Sequence, residues 1–152
     1  MVKQFTRCLV MAGTLTYFIL LIYLTFFAGR RRGEHNYRDK INFEFLEKVW
    51  MLPKLTPNET KGVAIEVFGN IAAFLPFPGA LCIMFGRRFS NKQILFTVLC
   101  STFAIECLQF AFSIGVFDID DIFLNFLGGI AGVVIFDFLY KQLGYENFNL
   151  RH

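Results

Sequence analysis

A chain of 152 residues is long enough for one domain, and its net charge of +3, from 15 basic and 12 acidic groups, is too mild and too scattered to imply nucleic acid. Hydrophobic residues make up 55%, 21 residues are phenylalanine, and mean hydropathy is +0.51, a balance too apolar for an ordinary soluble domain and suited to a membrane protein. Cys8, Cys82, Cys100 and Cys107 lie in apolar runs without a C-x-x-C pair, so they read as small buried hydrophobes rather than a disulfide framework or zinc site. His35 and His152 form no H-E-x-x-H.

Lys3 and Arg7 precede an apolar run from Cys8 to Ala28, longer than a signal-peptide core and followed by no small-x-small cleavage site. It reads as an uncleaved first membrane helix, stopped by Arg30, Arg31 and Arg32. Residues 33–61 form a polar connection in which Phe45, Leu46, Val49 and Trp50 recur at helical spacing, as in a short amphipathic interfacial helix or in a surface loop with anchoring aromatics. Thr56-Pro57-Asn58-Glu59 is a helix start, with a capping threonine, proline at the first helical position and glutamate to complete a capping box.

A second span covers about 62–85 and carries Glu66 and Asn70, four apart and therefore on one face. Pro76 and Pro78 interrupt it, and the carbonyls they leave without donors need partners in protein or water. Gly86 to Lys92 is a basic turn. The third span, about 93–112, holds Ser101, Glu106 and Gln109. An acidic turn with Asp118, Asp120 and Asp121 leads into the fourth span, about 120–140, which carries Asn125 and a Gly128-x-x-x-Gly132 pattern for close helix approach. Asp137 and Lys141 are spaced to pair at its far end. Trp50, Tyr140 and Tyr145 read as interfacial anchors.

The expected fold is all-α: one polytopic membrane domain over 1–152, with four transmembrane helices in a small bundle and the second kinked at Pro76/Pro78. Four spans put both termini on one side. The basic turn and terminal lysines and arginines favour the cytoplasm for that side, against the opposing Arg30–Arg32.

At about 1.5 Å per helical residue, Glu66, Asn70, Glu106, Gln109, Asp121 and Asn125 all fall within roughly 12 Å of the same membrane face. Five carboxyls, Glu66, Glu106, Asp118, Asp120 and Asp121, gather there with no lysine or arginine inside the spans. A charged carboxylate at the bilayer centre costs roughly 2.5–3.5 kcal/mol on insertion scales, so this cluster needs compensation. Arg30, Arg31 or Arg32 could pair with it, a divalent cation could bridge it through oxygen ligands, or a cationic ligand could bind. The plainer reading is interhelical glue, which suits Asn70, Gln109 and Asn125 as well as a site does, while Asp118 and Asp120 also read as solvated turn residues.

Three blocks in order carry a resemblance. Gly69-Asn70-Ile71-Ala72-Ala73-Phe74-Leu75-Pro76-Phe77-Pro78-Gly79 resembles the G-N-I-x-x-F-x-P-x-G block of the VanZ-like family. Ser101, Glu106 and Gln109 resemble its second block. Asp118-Ile119-Asp120-Asp121 with Asn125, Gly128, Gly129 and Gly132 resembles its third. Pro78 departs from the pattern, which has one proline followed by x-Gly. The resemblance implies a small bacterial multi-pass membrane protein of the cell envelope. The family's named member lowers sensitivity to teicoplanin, a lipid-anchored glycopeptide that binds peptidoglycan precursors.

The expected role is binding of a surface or lipid-linked ligand, an envelope precursor or lipoglycopeptide, through the acidic cluster, with membrane lipids as surroundings. Nothing in the spacing fixes a reaction, and no cofactor is established. Two alternatives stand beside it: a proton-coupled transporter, which with four spans would need to oligomerise, and an accessory protein whose cluster only holds its helices together.

Overall fold

The helix boundaries follow from local chemistry. The computed structural model describes residues 2–27, 41–42, 50, 54, 56–86, 88–115 and 117–142. Helix α1 is Val2–Phe26, strand β1 is Ile41–Asn42, and α2 is Pro57–Phe74. Helix α3 is Phe77–Phe85, α4 is Asn91–Ala111, β2 is Phe117–Asp118, and α5 is Ile119–Gln142.

The predicted helix start is present. The Thr56 N–H donates to the Glu59 carboxylate at 2.9 Å, and its hydroxyl donates to the same oxygen. A second such box opens α4, where the Ser90 N–H donates to Gln93 Oε1 (2.9 Å) and the Gln93 N–H to Ser90 Oγ (3.4 Å). That box sets the third span two residues before the expected Gln93. The Ser90-x-x-Gln93 spacing was its unread signal.

Among the described residues four segments are long and apolar enough to cross a membrane: Cys8–Phe26, Pro57–Phe85, Asn91–Ala111 and Ile119–Gln142. The second consists of α2 and α3 joined through Leu75 and Pro76. Leu75 N–H still reaches the Ile71 carbonyl at 3.1 Å, and Ala80 N–H the Pro76 carbonyl at 2.9 Å. The two prolines therefore act as one short interruption: Pro76 ends the first segment, and Pro78 sits inside the first turn of the next, where its missing N–H is harmless.

Helix α5 is the centre of the bundle and packs against α2, α3 and α4. A Cβ on Gly128 would lie 2.2 Å from the Ile71 carbonyl oxygen, and one on Gly132 2.2 Å from that of Leu75. Gly79 faces the Phe136 ring another turn along. These pairs step by four on both segments in the same direction, so the second and fourth spans run parallel. The absence of side chains brings α5 onto carbonyls beside the proline break, close enough for Cα–H···O contacts. The third span runs antiparallel, with Asn91 Nδ2 on Asp137 Oδ2 (2.6 Å), Val98 against Gly129, and Asn125 Nδ2 on Thr102 Oγ1 (2.9 Å).

Two apolar clusters fill the bundle: Leu21, Phe74, Phe77 and Val98 in one, Cys82, Ile94 and Val133 in the other. Among the cysteines only Cys82 is buried. Cys8, Cys100 and Cys107 lie exposed on apolar helix surfaces, a correction to the buried reading: helix faces that meet lipid are as apolar as those that meet protein. The candidate interfacial helix at Phe45, Leu46 and Val49, and the anchor Tyr145, lie outside the described residues; Trp50 is exposed.

Candidate functional site

The acidic turn is buried. Asp118 closes the amino end of α5 in the manner of a helix cap, its Oδ1 accepting from the Asp120 N–H at 2.9 Å. The Asp118 N–H in turn donates to Glu106 Oε2 at 3.1 Å, across from α4. Glu106 is 2% exposed, Asp118 8% and Asp120 1%. The solvated-turn reading of Asp118 and Asp120 is therefore corrected. Glu106 reaches into the turn from one side, and β1 of the first connection runs parallel to β2 on another, Ile41 opposite Phe117 and Asn42 opposite Asp118. No periodicity in the first connection announced that strand.

The amides divide. Asn125, buried on α5, donates to the Thr102 hydroxyl of α4 within the bundle. Gln109 turns to the first helix instead, its Nε2 donating to the Thr25 carbonyl at 2.9 Å. Both bonds tie helices together. Asn70 is half-buried, and its Nδ2 is enclosed with no hydrogen-bond partner among the described residues.

Helical register places the remaining acids. One turn beyond the Thr102–Asn125 pair, Glu106 of α4 falls level with Asp121 of α5. By the register of Ile71 with Gly128, Glu66 falls level with Phe123, between Asp121 and Asn125. Glu66 and Asp121 are both half-buried. Arg30, Arg31 and Arg32 lie outside the described residues. Among the described residues no three His, Cys, Asp or Glu side chains are grouped to hold a metal ion, and no cofactor is established.

Two polar residues escaped the sequence reading. Thr102, wholly buried, sits four before Glu106 on the same face, which was its available signal. Tyr17 donates its hydroxyl to the Ala73 carbonyl at 2.8 Å, in the last turn before the proline break. The break called for a donor at that depth, and a tyrosine in the middle of an apolar span is suited to supply one.

A family profile described as VanZ/LLP1 matches residues 14–140. The "Protein VanZ" of Enterococcus faecium is 34% identical over 90 residues, which cover 59% of this chain and 55% of that protein. The match thus spans about half the length of that relative. No solved structure matches at a significant level.

Proposed function

The chain belongs to the VanZ/LLP1 family and is a multi-pass membrane protein, and from that premise we propose that it binds a surface-exposed or lipid-linked envelope ligand through the buried acidic turn. The observation that carries this reading is Glu106, 2% exposed near the end of an apolar span and joined to a turn with two further buried aspartates. Interhelical glue needs only neutral hydrogen-bonding groups, and Thr102, Gln109 and Asn125 already provide it. Three buried carboxyls at one membrane face exceed that need.

In this reading Glu66, Asn70 and Asp121 extend the site into the membrane, Asn125 holds α4 to α5 beneath it, and Gln109 fixes the first helix beside it. On the same reading the termini lie in the cytoplasm and the acidic face in the outer leaflet, supported by the basic turn at Arg87–Arg88 and the acidic turn at Asp118–Asp121 and opposed by Arg30–Arg32. Counter-charge comes from Arg30–Arg32, from a divalent cation or from the ligand's own amino groups. The family resemblance makes a teicoplanin-type lipoglycopeptide, or the precursor it recognises, the first ligand to test.

Glu106→Gln decides between site and glue. It keeps the size and hydrogen-bonding capacity of the side chain and removes the charge. The expected result is normal folded yield from the membrane with a several-fold loss of teicoplanin tolerance in cells that express the variant. Unfolded protein, or full tolerance with folded protein, rejects the proposal.

A further inference from the structure

At the opposite end of the bundle from the acids, a cavity of about 440 Å³ opens between the end of α3 and the turn into α4. Ile83, Met84, Phe85, Gly86, Arg88 and Phe89 line it. Gly86 has a positive φ of 70°, which turns the chain sharply out of the span and leaves the hollow behind it. The Phe85 and Phe89 rings stand edge to face at 6.1 Å. Ile83, Met84, Phe85 and Phe89 are all exposed. They form an apolar wall at the end of a membrane span, the depth at which acyl chains meet headgroups.

Basic groups outnumber acidic ones at this turn. Arg87, Arg88 and Lys92 fall within six residues, and no acidic residue occurs in the sequence between Glu66 and Glu106. Asp137, which α5 brings to this end, accepts a hydrogen bond from Asn91 at 2.6 Å.

We propose that this cavity holds an anionic glycerophospholipid, with its phosphate on Arg88 and an acyl chain along Ile83, Met84 and Phe89. The planar guanidinium fork grips phosphate oxygens in pairs, and the apolar walls fit an amphiphile rather than a soluble anion. The proposal is independent of the acidic turn and of any ligand bound there.

Native mass spectrometry of the purified full chain tests it, with phosphatidylglycerol, phosphatidylcholine and soluble glycerol phosphate as probes. Wild type is expected to retain one phosphatidylglycerol several-fold more strongly than phosphatidylcholine and to ignore glycerol phosphate. Arg88→Gln removes that preference. Met84→Phe, which keeps every charge and fills the hollow, also removes it. Lys92→Gln, outside the lining, leaves it in place. Equal retention of both lipids by wild type overturns the proposal. So does equal weakening by Arg88→Gln and Lys92→Gln, which reports diffuse surface charge, or competition by glycerol phosphate, which reports an anion site without a lipid.

Discussion

Helices α1 and α5 are similar in length and hydropathy, yet they occupy opposite positions in the packing. In α5 Asp120, Leu124, Asn125, Gly128, Gly129, Gly132 and Val133 are buried, a stripe that meets α2 on one side and α4 on the other. In α1 the buried residues among those whose side chains are described are Thr14 and Leu21, while Leu9, Met11, Leu15, Ile19 and Leu24 face outward. Phe18 leans edge to face on Phe77 at 5.6 Å, and two hydrogen bonds, from Tyr17 to Ala73 and from Gln109 to Thr25, fasten the helix. Hydropathy alone thus separates lipid from water but not lipid from protein. The small residues make the second distinction, because only where side chains are missing can backbones touch.

The largest expected effect comes from making one substitution in both helices. Gly128→Ala puts a methyl 2.2 Å from a backbone oxygen that cannot rotate away, so α2 and α5 must separate. The expected loss is about 1–3 kcal/mol, the usual scale of overpacking. Gly13→Ala meets nothing within 4 Å, and removing a helical glycine gains about 0.5–1 kcal/mol. Thermal unfolding in detergent should shift in opposite directions; shifts of the same sign would dissolve the contrast between central and peripheral helix.

A smaller effect is expected within the α4–α5 seam. Asn125→Leu keeps the shape and removes the bond to Thr102, at a cost of about 0.6–2 kcal/mol, the range for interhelical polar contacts in membranes. Thr102→Val in the same background should then add little, since the partner is already gone. Full additivity in this double-mutant cycle would show that the two side chains do not act together.

The smallest effect is at the periphery. Tyr17→Phe leaves the Ala73 carbonyl without its hydroxyl donor, at a cost of about 1 kcal/mol, and should loosen α1 without unfolding the rest. Limited proteolysis or hydrogen exchange confined to α1 would reveal this. Loss of the whole fold would mean that α1 is as central as α5.

The spans, their number and the Thr56–Glu59 helix start were legible because each rests on a local pattern: an apolar run, a cap, a proline. The glycine pattern announced close packing, though not that its partner would be the carbonyls of Ile71 and Leu75, since partner choice depends on how the spans are arranged. The depth argument placed Glu66, Glu106 and Asp121 on one side because rise per residue is nearly constant along a helix. It did not reveal that Asp118 and Asp120 are buried, because burial there depends on distant parts of the chain: Glu106 of α4 meets the turn, and β1, more than seventy residues earlier, pairs with β2. Gln109 illustrates the same limit: it shares a helical stretch with Glu106 but turns to α1.

The parallel course of the second and fourth spans has an electrical consequence. Helices α2 and α5 both point their amino ends, and so the positive ends of their macrodipoles, at the acidic face, while α1 and α4 bring their negative carboxyl ends there. Asp120 and Asp121 occupy the first turn of α5 and Glu59 that of α2, each placed where the helix dipole favours a negative charge. Glu106 stands at the unfavourable end of α4, and there the Asp118 N–H, a buried donor at the amino end of the neighbouring helix, meets it. The acidic face is therefore a checkerboard of opposed helix ends, with its aspartates on the positive squares and its one deeply set glutamate bridging to them.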